Sequence, residues 1–75
     1  MKQTQIKLMN IADIREFVNI VSAFDGEVDL LSGRYIVDAK SIMGIFSLDL
    51  LSPITVQTDS DNADELFSKL SKFTA

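Results

Sequence analysis

Few side chains in this sequence can do chemistry. It contains no histidine and no cysteine. That removes the commonest general base near neutral pH, the commonest metal ligand, any thiol nucleophile and the ring nitrogen that accepts phosphate in phosphohistidine relays. Carboxylates, hydroxyls and amines remain. Asp59, Asp61, Asp64 and Glu65 crowd one stretch, yet they lack the spacing, central glycine and terminal bidentate glutamate of a calcium loop. Helix capping and complement to the helix dipole account for them, and no metal is expected. Glu27 and Asp29 project from the same face of a strand, with nothing nearby to enclose a substrate. No GxSxG elbow, SxxK pair or phosphate-cradling glycine loop surrounds the serines and lysines, so neither an enzyme nor a cofactor is expected.

Composition bounds the rest. The 75 residues are 47% hydrophobic and 24% charged, the balance of one globular domain spanning 1–75. A chain this short buries only roughly 60–65% of its unfolded surface, so its core is thin. A net charge of −4 argues against a nucleic-acid partner, since phosphate backbones are held by lysine and arginine. No apolar run approaches the ~20 residues that span a bilayer. The first residues lead into an alternating segment rather than a signal core, which points to a cytoplasmic protein with no membrane partner.

The elements follow from periodicity. Gln3 to Met9 alternates with Ile6 and Leu8 inward, a half-buried strand. Asn10 offers an N-cap and Asp13 a negative charge in the first turn. Ile11, Ile14, Phe17, Val18, Val21 and Phe24 then draw one apolar stripe along a helix ending near Gly26. Glu27–Leu31 and Tyr35–Ala39 read as a hairpin about Ser32-Gly33, with Val28 and Leu30 inward. Ser41 caps a short helix from Ile42 to about Leu48, kept brief by Gly44. Ile54–Thr58 is a fourth strand with Ile54 and Val56 inward. Asp59 or Ser60 caps a last helix whose stripe is Ala63, Leu66, Phe67, Leu70 and Phe73. The order is βαββαβα. Helices with one apolar face and strands with one polar face predict an α+β, open-faced β-sandwich: a four-stranded antiparallel sheet carrying three helices on one side.

The segment Ala39-Lys40-Ser41-Ile42-Met43-Gly44-Ile45-Phe46-Ser47-Leu48 closely resembles the regulatory-serine segment of HPr, the phosphocarrier of the bacterial sugar phosphotransferase system. Lys-Ser-Ile-Met-Gly is typical of the Gram-positive branch of that family. Element order and spacing agree from Ile6 to Phe73, although one extra residue separates the Ser32-Gly33-Arg34 turn from Ser41. The departure is equally specific. HPr proteins open their first helix with Gly-(Leu/Ile)-His-x-Arg-Pro, and the family's spacing puts the phosphoryl-accepting histidine at Asn10, the arginine at Ala12 and the proline at Asp13. An amide is not a phosphoryl acceptor, Ala12 cannot neutralise a phosphoryl group, and Asp13 would repel one.

The resemblance therefore implies an HPr-like protein without histidine phosphocarrier activity. Its implied role is a regulatory protein-binding module in sugar transport and carbon catabolite control, with Ser41 the candidate for regulatory phosphorylation. The implied partners are HPr kinase/phosphorylase or a catabolite-control regulator, and the implied docking residues are Lys40, Ile42, Met43 and Phe46. Helical spacing sets Ile45 and Leu48 on one face and Ile42, Met43 and Phe46 on its neighbour, which leaves open whether the second face is also core. The HPr resemblance implies that it is an exposed patch, with Ile42 and Phe46 in solvent. That patch also leaves room for a homodimer as well as a monomer. The alternative is an orphan structural or interaction domain that retains the fold with Asn10 and Ser41 as helix caps only.

Overall fold

The computed structural model describes residues 1–75. Four strands, β1 (Lys2–Ile6), β2 (Asp29–Ser32), β3 (Tyr35–Asp38) and β4 (Ile54–Thr58), form one antiparallel sheet in the order β1-β4-β2-β3. Helices α1 (Ile11–Ser22), α2 (Ile42–Phe46) and α3 (Ala63–Lys69) cover one face, and a 3-10 turn, Ser71–Phe73, follows α3. β4 lies between β1 and β2 and runs antiparallel to both. The connection through α1 thus joins parallel strands across an intervening one, the arrangement for which a right-handed crossover is the rule.

The inward faces are those the alternation gave. Ile6, Val28, Leu30, Ile54 and Val56 meet Ile14, Phe17 and Val21 of α1, Ile45 and Leu48 after Ser41, and Leu66, Leu70 and Phe73 at the C-terminus. Together with Leu8 and Ala39 they make one core of 15 buried residues. Phe17 and Phe73 meet edge to face, ring centroids 6.4 Å apart, beneath the α1–α3 contact. Thr58 is the one buried polar residue. Its hydroxyl donates to the Glu27 carbonyl at 2.7 Å and accepts the Ser60 amide at 3.2 Å, so no polar atom is stranded.

Several boundaries differ from the sequence reading, each for a local reason. β1 stops at Ile6 because Lys7 turns its amide to the Phe73 carbonyl, although Leu8 beyond it is still buried. α1 ends at Ser22, with the Ala23 and Phe24 amides closing the last turn on Asn19 and Val21. β2 starts at Asp29 rather than Glu27, and β3 ends at Asp38, whose carboxylate accepts the Lys40 amide and turns the chain. α2 is only five residues long. Neither Asp59 nor Ser60 caps α3: the Ser60 hydroxyl accepts the Asn62 amide and its carbonyl the Ala63 amide, which inserts a turn before the helix begins. The hairpin turns at Gly33-Arg34, one residue later than expected. Gly33 has φ +59°, the left-handed value that a tight two-residue turn demands of its first position.

Candidate functional site

The residues singled out by the sequence lie on two helix starts. Asn10 has extended backbone, and its Oδ1 accepts the Asp13 amide at 2.9 Å, which makes it the N-cap of α1. Asp13 returns the favour with a bond that the sequence reading did not foresee: its Oδ2 accepts the Met9 amide at 2.9 Å. This is close kin to a capping box, displaced by one residue. The start of α1 therefore carries a fixed carboxylate of its own. Asn10 is exposed, and Ile11, counted in the apolar stripe, is 61% exposed and lies outside the core.

At the second start, Ser41 is exposed and extended, and its Oγ accepts the Gly44 amide at 3.2 Å. The cap reading of Ser41 holds geometrically. Lys40 folds back so that Nζ donates to the Phe24 carbonyl at 3.0 Å. It tethers the α2 approach to the end of α1 rather than projecting freely. Gly44 explains the close seat of α2 on the sheet, since a Cβ there would meet the Val37 Cβ at 3.3 Å and the Ser41 Oγ at 3.4 Å. Ile45 and Leu48 are buried as their spacing demanded. Met43 is 76% exposed and Phe46 46% exposed, whereas Ile42 is half-buried and packs against the core. The expectation of exposure therefore needs correcting at Ile42: its side chain packs against the core, leaving the outer surface to Met43 and Phe46.

The start of α1 meets the far end of α2, while the start of α2 is tied through Lys40 to the end of α1. Lys7 to Ile11, with Ile14, forms one wall of an apolar hollow of about 290 Å³, and Phe46, Leu50 and Leu51 form the other. Only Lys7 and Asn10 among its nine lining residues are polar. Met9, Ile11 and Leu51 all stand exposed around it. Sequence reasoning missed these residues as a site. Leu50-Leu51 sits in a loop before Pro53, where adjacent leucines serve neither a strand nor a helix stripe, and that was the available signal.

The acidic run does not converge. Asp64 pairs with Lys2 at 3.2 Å and Glu65 with Lys69 at 3.7 Å, both on the surface, and no group of three carboxylates is placed to hold a metal ion. No helix is long and apolar enough to cross a membrane.

Comparison with known proteins agrees with this architecture. Residues 12–75 match the family model described as PTS HPr component phosphorylation site, a match that begins just past Asn10. No curated protein sequence matches significantly. Among solved structures, HPr-C-His from Thermoanaerobacter tengcongensis is 28% identical with a TM-score of 0.80, over 96% of this chain and 89% of that one. The phosphocarrier protein HPr of Bacillus anthracis is 31% identical with a TM-score of 0.71, over 99% and 94%. A histidine-containing phosphocarrier protein of Mycoplasma shares the fold at 18% identity and a TM-score of 0.73, over 95% and 86%. The chain belongs to the HPr family of the phosphotransferase system, a family of phosphocarrier proteins and not of enzymes.

Proposed function

We propose that this chain is a regulatory, protein-binding member of the HPr family that carries no phosphoryl group on histidine. Its docking surface is the apolar ground between the start of α1 and the outer face of α2, and phosphorylation of Ser41, at the cap of α2, controls it. The observation that carries this reading is the apolar hollow around which Met9, Ile11, Phe46 and Leu51 stand exposed, Phe46 coming from the helix that also bears exposed Met43 and is capped by the exposed Ser41 hydroxyl. Large apolar side chains gathered exposed around one hollow mark a surface for a protein partner. Met43 adds an adaptable, polarisable contact, suited to a surface that must fit another protein. Lys40 adjoins Ser41 in this reading, with its ammonium engaged by the Phe24 carbonyl at the end of α1 rather than by the hollow. Half-buried Ile42 supports the helix that presents Met43 and Phe46. The chain acts as one module in the cytoplasm, with a protein partner and no nucleic acid.

Phosphate on Ser41 replaces a neutral cap by a dianion at the same place, where the Gly44 amide already points. The modification can thus change the charge of the docking surface without melting α2. The test is to incubate the protein with an HPr kinase/phosphorylase and ATP, weigh it, and measure binding to a catabolite-control regulator before and after. A gain of about 80 Da that is absent in Ser41→Ala, together with tighter binding of the modified form, is the expected result. No adduct refutes control at Ser41, and no binding in either form refutes the docking surface. The Ser41–Gly44 cap bond favours a second reading, in which the segment is kept for packing alone and the chain is an orphan domain with no regulatory role. That reading requires both outcomes to be negative.

A further inference from the structure

β3 is an edge strand, with β2 on one side and solvent on the other. The opposite edge is different. There the Ala75 amide donates to the Gln5 carbonyl at 3.0 Å and the Lys7 amide to the Phe73 carbonyl at 2.8 Å, so the C-terminus partly covers β1. Nothing covers β3. Its register with β2 pairs Ser32 with Tyr35 and Leu30 with Val37 across a two-residue turn. Those are the hydrogen-bonded pairs, and the Ala39 amide on the Val28 carbonyl continues the alternation. The amide and carbonyl of Ile36 and of Asp38 consequently point away from the sheet.

The devices that blunt such an edge are mostly missing. Tyr35-Ile36-Val37-Asp38 contains no lysine, proline or bulge and is β-branched at its centre; only its length of four residues limits it. On the face of the sheet away from the helices, the row Gln5, Thr55, Leu31, Ile36 runs from β1 to this edge. It turns from polar to apolar as it goes and ends on Ile36, which is 66% exposed.

We propose that this edge is an interface between two copies of the chain, β3 pairing antiparallel with β3 about a twofold axis at Ile36. Three features select that register. The outward amide and carbonyl of Ile36 match those of the partner's Ile36. The apolar end of the row then meets its own image, so that Leu31 and Ile36 continue into the partner's Ile36 and the partner's Leu31. Arg34 and Asp38 lie two residues to either side of the axis, and the symmetry sets Arg34 opposite the partner's Asp38 and Asp38 opposite the partner's Arg34. Neither residue has an ion pair within its own chain, and the Lys40 amide takes only one oxygen of Asp38, leaving the other for the partner's Arg34. Neighbouring registers fail on charge: an axis at Val37 sets Ile36 against the partner's Asp38 and Arg34 against the partner's Lys40, and an axis at Asp38 puts two carboxylates face to face. Two strands this short bury little surface, so association is weak and depends on protein concentration.

The experiment combines sedimentation equilibrium with amide hydrogen exchange on the intact chain. The expected result is a monomer–dimer equilibrium below ~1 mM in which the Ile36 and Asp38 amides become protected as concentration rises. Arg34→Asp and Asp38→Arg each place like charges across the joint and weaken self-association by about tenfold or more. An equimolar mixture of the two variants restores it, because every aspartate then faces an arginine. A chain that stays monomeric at ~1 mM, exchange at Ile36 and Asp38 that ignores concentration, or a dimer that survives both reversals overturns the proposal. Failure of the mixture to recover, with both variants folded, overturns the register. The exchange measurement on the unmodified chain stands whether or not the variants fold.

Discussion

Replacing Asn10 by alanine tests what that position now does. Asn10 accepts one amide, that of Asp13, at 2.9 Å from an extended backbone, and Asp13 accepts that of Met9 at the same distance. Alanine removes the first bond outright and frees Asp13 to swing away from the second. Loss of a good N-cap costs about 1 kcal/mol, within a range of roughly 0.5–2. Both bonds are close to solvent, so water replaces part of what is lost and the central value is appropriate. For a domain of this size about 1 kcal/mol lowers the melting temperature by roughly 4–8 °C. Asn10→Ser keeps an oxygen within reach of the same amide and should stay within a few tenths of a kcal/mol of the parent. Asp13→Ala should lose only the Met9 bond, and the double variant should fall short of the sum of the singles because the two bonds hold one another. The assay is thermal and urea unfolding of the four variants and the parent under one condition. Equal losses for alanine and serine, or no loss for alanine, would refute the capping account of Asn10.

Other perturbations separate packing from surface. Thr58→Val strands the Glu27 carbonyl and the Ser60 amide at a buried site, and urea unfolding should show a loss of about 1–3 kcal/mol; a neutral result would mean that water reaches the site. Gly44→Ala gains up to about 1 kcal/mol of helix propensity, yet the new Cβ would meet Val37 at 3.3 Å, and overpacking of about 1–3 kcal/mol should leave a net loss; a higher melting temperature would show that α2 can lift off β3 freely. Phe46→Ser should cost less stability than truncation of a core phenylalanine, because much of its ring is already in water, while abolishing binding to a catabolite-control regulator; retained binding in titration calorimetry would place the docking surface elsewhere.

Period carried most of the fold into view. The inward positions of β1, β2 and β4 and the stripes of α1 and α3 could be read because each element buries one face against one core. Boundaries were less legible, since they are set by side chains bonding to local backbone: Ser60 delays α3, and Asp38 ends β3. Residues at element ends also escape the period. Ile11 fits the helical spacing of its stripe but sits on the first turn, beyond the reach of the sheet. Of the candidate site, both caps were visible in the residue types, whereas helical spacing split α2 into two faces without saying whether the second was buried. The HPr resemblance implied its exposure, which holds at Phe46 and not at Ile42. The second wall of the hollow was not, because Leu50 and Leu51 come from a loop whose path no periodicity fixes.

The two helix starts use one device to different ends. At each, a side-chain oxygen of the capping residue accepts the amide three positions on, from Asn10 to Asp13 and from Ser41 to Gly44. At α1 the negative charge that the dipole favours is built in, since Asp13 sits in the first turn and its carboxylate is already bound. A phosphoryl group there would add repulsion to a place whose need for an anion has been met. α3 is likewise supplied, by Asp64 and Glu65. α2 alone has no acidic residue in its first turn, and its cap is a hydroxyl, the one group among the two side-chain caps that can acquire charge. The nearest carboxylate, Asp38, is turned to the Lys40 amide. Helix electrostatics therefore favour the same division that the docking surface does: a permanent anion where a carrier would have taken up phosphate, and a vacancy for one beside Met43 and Phe46.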